Sequence, residues 1–390
     1  MNFAEEARSM QEMLREFRRD IHMYPELPME EFRTSGKIKN FLKENNIEIL
    51  PLNLPTTVVA VIRGEESRKR IALKADMDAL QIQEQTNAEY ASRNEGVMHA
   101  CGHDVHTACL IGAAAMLKRH QKELQGTVYL IFQAAEENLC GAKQIIETGF
   151  FSDEKIEEIF SIHTNTSIEA GKVAFMRGAS QASADMMTIH IHGKGGHGAF
   201  PNTTVDPVYI ASQLICQIQS IVSRNIDPIQ TGVVSVCKMT AGTSGNIIPE
   251  NAELSGTYRA MTPQVRELIR ERLKSLCRGI EIGYGCECRA ELPDGCPPII
   301  NDPVLADTAK KACSRVLGEE NVLELSPAMV GDDMGFILEK VPGVLGALGV
   351  RNEKKGIVHG NHTPYFDVDE ECLWIGAACM AQMAWDSLAK

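Results

Sequence analysis

The sequence lacks any run of apolar residues long enough to span a bilayer, and it also lacks an excess of basic residues. It has 39 Lys and Arg residues against 52 Asp and Glu residues, a formal net charge of -13 at pH 7. Without a basic stripe to follow a phosphate backbone or an anionic lipid surface, neither nucleic acid nor a membrane is an expected partner. The first ten residues, MNFAEEARSM, carry Glu5 and Glu6 where a secretory signal has positive charge followed by an apolar stretch, so we expect a cytoplasmic protein.

Cysteine is too sparse for a disulfide scaffold, since only 12 of the 390 residues are Cys. In a reducing compartment we expect most of them to be buried small side chains or reactive thiols. Cys286, Cys288 and Cys296 lie close together, but no histidine cluster follows them. A structural role is favoured over a zinc site there.

Hydrophobic residues make up 44% of the 390-residue chain, which suits two domains with buried cores. Short apolar strands that alternate with helical stretches indicate an α/β domain with a mostly parallel sheet covered by helices. From residue 181 to 296 the pattern is typical of an α+β unit with an open antiparallel sheet, including a helix over Gln264–Arg278 and a strand over Ile280–Ala290. We predict a satellite and dimerisation domain, 181–296, inserted into a catalytic domain made of 1–180 and 297–390.

Polar residues follow several of the predicted strands of the catalytic domain. In parallel sheets, binding sites form beyond the carboxyl ends of the strands, so we expect these side chains to lie together. The strands and the polar residues that follow them are Ile71–Ala75 with Asp76 and Asp78, Val128–Phe132 with Glu136 and Glu137, and Ile156–Ile162 with His163.

The densest group of metal-binding side chains is Val97–His106, VMHACGHDVH. It holds one thiol, three imidazoles and a carboxylate just ahead of a predicted helix. Cysteine and histidine are good ligands for zinc, and carboxylates extend the range to manganese. Gly102 allows a sharp turn, so that Cys101 and His103 can converge on one point. A metal site is therefore favoured over a polar cluster that only begins the helix.

Further candidate donors are less specific when each is considered alone. Glu136 and Glu137 are adjacent at a strand end, and we expect their side chains to point to opposite sides, so that one can bind metal while the other takes a proton from water. Two solvated glutamates in a loop are the alternative. His163 resembles a hydrogen-bonded core residue, whereas His362 lies in a loop before the last helix, where a ligand could close the site.

Eight motifs in order make the chain similar to a known family. It resembles the two-metal amidohydrolases that include hippurate hydrolase, bacterial aminoacylases and the plant indole-acetyl-amino-acid hydrolases. The resemblance covers nearly the whole chain, from RRDIHMYPELPMEE onward. The motifs are DMDAL, MHACGHDVHTA, QAAEE, SIHTN, GKGGHGAFP, GNIIPE, GTYR and HTPYFDVDE.

The resemblance implies a catalytic domain that binds two divalent metal ions per subunit, zinc or manganese. Cys101 should be the thiolate that bridges the two ions, and Glu136 should be the general base. Asp78 matches the acid that orients a metal ligand. The residues that should complete the ligand sets are His103, Glu137, His163 and His362.

The resemblance also implies roles for the inserted domain. His197 matches the histidine that reaches the scissile carbonyl, in the site of the partner subunit. Asn246 and Arg259 match residues that hold the carboxylate end of the substrate. These roles require at least a homodimer, and a tetramer is the alternative.

The chain departs from the resembled pattern in three places. Ala134 stands where the family commonly has proline, which should matter little. Residues 164–167, TNTS, replace a stretch that contains tryptophan and proline. Residues 331–336, GDDMGF, replace a loop that lies near the substrate, so the preferred acyl group and amino acid are not specified by the sequence.

The implied function is metal-dependent hydrolysis of the amide bond of an N-acyl amino acid, a small-molecule substrate. Glu136 would take a proton from water and deliver it to the leaving amine. One alternative is an N-acetyl-diaminopimelate deacetylase or a dipeptidase on the same scaffold. Another is a non-catalytic, metal-binding protein that binds amino-acid conjugates, although such a protein has no use for a general base.

Overall fold

The structure is a computed structural model that describes residues 1–65 and 69–389. The chain divides into two compact units. Unit 1 comprises Met1–Gly178, Ile300–Ser326 and Phe336–Lys390, and unit 2 comprises Ala179–Ile299 and Pro327–Gly335. Within the described ranges, no helix is long and apolar enough to cross a membrane.

Helices and strands alternate along both ends of the chain, while strands predominate in its middle. The helices are α1 Ala4–Ser9, α2 Gln11–Met23, α3 Phe32–Glu44, α4 His103–Arg119, α5 Gly141–Glu147, α6 Phe150–Asp153, α7 Pro207–Ser220, α8 Pro263–Tyr284, α9 Pro303–Leu317, α10 Met334–Leu338 and α11 Cys372–Leu388. The strands are β1 Glu48–Leu50, β2 Val58–Arg63, β3 Arg70–Asp76, β4 Thr127–Gln133, β5 Glu158–Glu169, β6 Val173–Phe175, β7 Gly178–Gln181, β8 Asp185–His192, β9 Gly196–His197, β10 Gly232–Ala241, β11 Ile247–Ile248, β12 Asn251–Ala260, β13 Glu287–Glu291, β14 Ile299–Asn301, β15 Val322–Glu324 and β16 Gly343–Arg351.

Unit 1 is built on an 8-stranded sheet with the strand order β1-β2-β4-β3-β5-β16-β6-β15. Strands β4, β3, β5 and β16 at its centre run parallel to one another. The sheet is nevertheless mixed, because β1 and β2, β2 and β4, and β6 and β16 pair antiparallel. Outside this centre, β6 and β15 also pair parallel, so the prediction of a mostly parallel sheet is confirmed only in part. Neighbours such as β1 and β2 are joined by a short loop, and only parallel neighbours need a long crossover connection.

Helix α4 is buried along nearly its whole length and packs tightly against α11. A Cβ atom on Gly112 would lie 2.7 Å from Cβ of Ala377, and one on Gly376 would lie 2.4 Å from Sγ of Cys109. Such close approach is possible only where glycine replaces a larger side chain. This packing fixes the position of His103, the first residue of α4.

Unit 2 contains a 4-stranded sheet with the order β10-β12-β8-β13, in which all neighbours are antiparallel, as the alternating pattern predicts. Helices α7 and α8 supply the apolar side chains that pack on this sheet. Both helices begin with proline after a capping residue. Asp206 accepts a hydrogen bond from the backbone N of Val208 at 2.9 Å, and Thr262 accepts one from the backbone N of Val265 at 3.3 Å.

One predicted boundary in unit 2 is wrong. The helix predicted over Gln264–Arg278 continues as α8 through the first residues of the strand predicted over Ile280–Ala290. Ile280 is buried on the inner face of α8, whereas Ile282 is 87% exposed, so the helical spacing of buried residues decides the local structure. The helix ends where Gly285 adopts a left-handed φ of 64°.

Candidate metal centre and active site

A glycine turn at the start of α4 brings Cys101 and His103 together in unit 1. Gly102 has a φ of 85°, a left-handed conformation that side chains rarely adopt. A Cβ atom there would lie 2.6 Å from Oγ1 of Thr164. Both the conformation and the space therefore require glycine at this position, as the sequence predicts.

Two groups of metal-binding atoms share the thiol of Cys101. Sγ of Cys101 lies 3.5 Å from Nε2 of His163 and 3.3 Å from Nε2 of His362. The donor atoms of Cys101, His103 and His163 lie within 4.8 Å of one another, and so do those of Cys101, Glu137 and His362. The five side chains proposed as ligands are thus neighbours in the structure.

The carboxyl group of Glu136 lies against this cluster. Nε2 of His103 is 3.9 Å from a carboxylate oxygen of Glu136 and 3.9 Å from one of Glu137. The side chain of Glu136 is only 7% exposed. A carboxyl group in this position can exchange a proton with a water molecule held at the cluster.

The two glutamates do not point to opposite sides of the backbone, so that expectation is wrong. They follow β4 in a turn in which Ala135 has a left-handed φ of 57°. Two carboxylates hold this turn, since Glu31 accepts a hydrogen bond from the backbone N of Ala135 at 2.9 Å and Asp78 accepts one from the backbone N of Glu137 at 2.9 Å. The alternation of a strand therefore no longer applies, and both side chains reach His103.

Asp78 orients the imidazole of His103. Nδ1 of His103 lies 3.1 Å from Oδ1 of Asp78 and 3.0 Å from the backbone O of the same residue. A donor hydrogen on Nδ1 leaves Nε2 as the ligand atom, the usual arrangement of a metal-binding histidine and its acidic partner. Asp78 is thus placed to act through His103 and is not itself a donor in the cluster.

His163 is held in the same way by a backbone carbonyl. Its Nδ1 lies 2.8 Å from the backbone O of Thr164, and its Nε2 faces Cys101. The predicted strand end at His163 is wrong, because β5 continues to Glu169. Pairing with β16 continues beyond His163 although the apolar run stops, since backbone hydrogen bonds do not need apolar side chains.

Sequence reasoning assigned no individual role to a layer of residues that lies behind the donors. Nε2 of His106 accepts a hydrogen bond from the backbone N of Thr164 at 3.0 Å, and its Nδ1 lies 3.4 Å from Oδ2 of Asp76. Asp76 also pairs with the buried ammonium group of Lys74. The spacing of three residues between His103 and His106 puts both on one helix face, and this spacing could have indicated that His106 lies beside the donors.

The electrostatics of the cluster favour a thiolate. Burial alone would raise the pKa of Cys101, but the imidazoles of His163 and His103 outweigh it and lower this pKa from 9.0 to about 6. In turn, hydrogen bonds to Cys101 and Glu137 raise the pKa of His362 to about 10. The thiolate is the form of cysteine that binds metals.

The donor set fits a divalent cation. Nε2 of His103 is buried and makes no hydrogen bond to any residue in the described part of the chain. A buried polar atom without a partner is costly, and a metal ion would satisfy it. Sulfur and imidazole donors suit zinc, and the carboxylate donor extends the range to manganese.

Unit 2 brings together two of its three predicted site residues. His197 and Asn246 are exposed and lie at the short antiparallel pairing of β9 with β11, where the backbone N of Gly198 donates to the backbone O of Asn246 at 2.9 Å. Arg259 lies near the far end of β12, where its Nη1 donates to the backbone O of Asp185 at 3.3 Å. It follows Asn251, the first residue of β12, by eight residues, which in an extended strand is roughly 26 Å.

The loop that departs from the resembled pattern is anchored within unit 2 as far as Gly335. Asp332 and Asp333 are buried, and Oδ1 of Asp332 accepts a hydrogen bond from the backbone N of Met334 at 2.7 Å. A Cβ atom on Gly331 would lie 2.6 Å from Cβ of Ala184. The loop is therefore packed closely on its own unit.

The three neighbouring cysteines of unit 2 belong to no group that could hold a metal ion among the described residues. Cys288 and Cys296 are buried, and Cys286 is half-buried. Burial raises the pKa of Cys296 to about 11, which keeps its thiol protonated. These properties are those of small apolar side chains.

Comparison with known proteins places this arrangement in a family. The family model described as peptidase family M20/M25/M40 matches residues 72–386. N-acetylcysteine deacetylase of Bacillus subtilis is 40% identical over 369 residues, 94% of this chain and 94% of the relative. Thermostable carboxypeptidase 1 of Saccharolobus solfataricus is 38% identical over 383 residues, 97% of this chain and 96% of the relative.

A solved structure agrees with these matches. The Bacillus subtilis YXEP protein, described as a dinuclear metal-binding peptidase of family M20, superposes with a TM-score of 0.88 at 35% identity, covering 98% of this chain and 99% of that chain. The matched range includes all five side chains of the donor cluster. The resemblance found from the motifs is therefore confirmed, and the chain belongs to peptidase family M20/M25/M40.

Proposed function

We propose that this chain hydrolyses the amide bond of N-acyl amino acids and releases a carboxylate and a free amino acid. The family and the relatives confirm the broader prediction of a metal-dependent amidohydrolase. The observation that carries the proposal is that two donor groups share the thiol of Cys101 beside the carboxyl group of Glu136. A protein that only binds conjugates would not need that carboxyl group, so the non-catalytic alternative is disfavoured.

The donor cluster would hold two divalent cations, zinc or manganese, with Cys101 shared between them. When bound, the cations polarise water and the scissile carbonyl, which supplies the Lewis-acid chemistry of the reaction. The dinuclear peptidase at 35% identity supports the number of ions. The proposed ligands are Cys101, His103, Glu137, His163 and His362.

Glu136 is the proposed proton shuttle. Its carboxylate accepts a proton from the attacking water and then donates that proton to the leaving amine nitrogen. Its small exposure and its distance of 3.9 Å from Nε2 of His103 support this role. Asp78 keeps His103 in the tautomer that leaves Nε2 toward the cluster.

The proposed substrate is an amide in which the amino acid on the nitrogen of the scissile bond has a free carboxylate. An N-acetyl amino acid and the C-terminal residue of a peptide both present this group, which accounts for a deacetylase and a carboxypeptidase among the relatives. Arg259 and Asn246 are proposed to hold the carboxylate through hydrogen bonds, which are strengthened by its charge. Removal of the C-terminal residue from short peptides is the second candidate function, favoured by the carboxypeptidase relative.

The positions within unit 2 support a site made by two subunits. Asn246 and His197 lie together where β9 pairs with β11, while Arg259 lies toward the opposite end of β12. Since eight residues of β12 separate Asn251 from Arg259, we propose that the Asn246 and Arg259 of one site come from different chains. We therefore propose a homodimer through unit 2, with a tetramer as the alternative, in which His197 donates to the oxyanion in the partner's site. A cytoplasmic location stays a prediction.

A substrate panel tests this function. Metal-stripped protein, reloaded with manganese or zinc, is assayed with N-acetyl, N-benzoyl and indole-acetyl amino acids and with dipeptides. We expect release of free amino acid from at least one N-acyl class with the loaded protein. The Glu136→Gln variant, prepared in parallel, should be inactive, which excludes a contaminating hydrolase. Cleavage of dipeptides alone would favour the second candidate, and no cleavage with either metal would contradict the proposal.

A further inference from the structure

Side chains from two other segments donate hydrogen bonds to the backbone of Cys101. Its carbonyl O accepts one from Oγ1 of Thr164 at 2.6 Å and one from Nδ2 of Asn361 at 3.2 Å. Nδ2 of Asn361 also lies 3.9 Å from Sγ of Cys101, within reach of a hydrogen bond to sulfur. The backbone of the residue whose thiol is proposed to bind both cations is thus held by donors on β5 and on the loop before α11, and the loop donor also reaches the sulfur.

A third side chain fixes the orientation of the amide. Oγ1 of Thr166 lies 3.2 Å from Oδ1 of Asn361 and donates to it. An amide accepts through its oxygen and donates through its nitrogen, so this contact turns Nδ2 of Asn361 toward Cys101. Thr164 and Thr166 are two residues apart on β5, which places both side chains on the same side of the strand.

The same loop also supplies a ligand. His362 follows Asn361 directly, has a left-handed φ of 60°, and donates its backbone N–H to the backbone O of Ala100 at 2.8 Å. Its Nε2 lies 3.3 Å from Sγ of Cys101. A change in the hydrogen bonds of Asn361 would therefore shift Cys101 and His362 relative to each other.

We propose that Asn361, Thr164 and Thr166 are positioning residues that hold the Cys101 thiolate where two cations can share it, with Asn361 also donating to the sulfur. The proposal rests on the proposed function, in which Cys101 is a metal ligand. None of the three touches a reacting atom. They act through Cys101, as outer partners of metal ligands do, and loss of such a partner typically lowers metal affinity by about 10–100-fold.

Two substitutions remove the donors, and two others serve as controls. Asn361→Leu replaces the amide with an apolar side chain of the same branching, and Thr164→Val replaces only the hydroxyl. Thr164→Ser keeps the hydroxyl and should therefore keep the metal affinity that Thr164→Val loses. Thr308→Val is the matched control. Like Thr164, Thr308 is 4% exposed, and its hydroxyl donates to a backbone carbonyl, that of Val304, at 2.9 Å. Thr308 lies on α9 and does not contact Cys101 through this hydrogen bond.

Two measurements are made on each variant. Metal affinity is obtained by competition with a chelator, and the thiolate-to-metal charge-transfer band is recorded after loading with cobalt(II). We expect Asn361→Leu and Thr164→Val to lower the affinity by about tenfold or more and to shift or weaken the band. Thr164→Ser and Thr308→Val should match the wild type in both measurements.

The outcomes separate this proposal from the proposed function. If the wild type shows the band and metal-dependent hydrolysis, but both donor-deficient variants retain its affinity and its band, the positioning role is wrong and the function stands. If the wild type itself shows no thiolate band with cobalt, Cys101 is not a ligand and the positioning role is wrong, whereas the proposed function fails only if metal-dependent hydrolysis is also absent. Should Asn361→Leu not fold, as judged by circular dichroism, Thr164→Val with its serine rescue decides the question alone.

Discussion

Replacement of Gly102 by alanine tests the geometry of the turn that carries the donors. A non-glycine residue in the left-handed region costs about 1–2 kcal/mol. The new Cβ atom would also lie 2.6 Å from Oγ1 of Thr164, so either that side chain or the turn must move. Loss of the hydrogen bond from Thr164 to the backbone O of Cys101 adds about 1 kcal/mol. We therefore expect Gly102→Ala to lower the free energy of unfolding by about 2–3 kcal/mol.

Gly96→Ala separates the two contributions. Gly96 has a similar φ of 74°, but a Cβ atom there would meet nothing within 4 Å, so only the conformational cost of about 1–2 kcal/mol applies. Urea unfolding followed by tryptophan fluorescence reports on unit 1, because both tryptophans of the chain, Trp374 and Trp385, lie in α11. Metal affinity should fall in Gly102→Ala and not in Gly96→Ala. Equal stability loss and unchanged metal affinity in both variants would refute the reasoning.

Three further outcomes follow from the same contacts. Glu136→Gln should retain both metal ions and lose turnover by about 10²–10⁴-fold, whereas Glu137→Gln should lose metal from one site. Metal content and turnover measured on both variants distinguish the two roles. Equal metal content in both variants would contradict the split of roles. His197→Ala subunits mixed with Glu136→Gln subunits should regain activity, because one site of the mixed dimer is intact, and mixed dimers without activity would show that His197 does not act across the dimer. Asp104→Ala should lower the free energy of unfolding of unit 1 by about 3–5 kcal/mol in urea, because Asp104 pairs with the fully buried Arg18 at 2.6 Å. A loss below about 1 kcal/mol would mean that the other acidic neighbours of Arg18 are enough to compensate its charge.

Much of the donor cluster was predictable because it follows from local patterns. Apolar runs located β3 and β4 to within about one residue at each end, and polar residues after them lie at the carboxyl edge of parallel strands. The dense motif before α4 and the glycine within it indicated convergence of Cys101 and His103. These features are readable because each depends on residues close together in the sequence.

The residues behind the donors were not predictable in the same way. Thr164 and Asn361 contact Cys101 from positions 63 and 260 residues away, and no local pattern marks such contacts. The convergence of Glu136 and Glu137 depends on the left-handed Ala135 and on hydrogen bonds to distant carboxylates. Strand alternation was the wrong guide there, because the chain had already left the sheet.

The central claim is that the cluster around Cys101 holds two cations that an amide hydrolase needs. Its most direct test is a titration of metal-stripped protein with manganese, in which bound metal and hydrolysis of an N-acetyl amino acid are measured on the same samples. We expect no hydrolysis without metal, full activity when two ions are bound per chain, and neither tight binding nor activity in the Cys101→Ser variant. Unchanged activity in the stripped protein, or full metal binding and activity in Cys101→Ser, would contradict the claim.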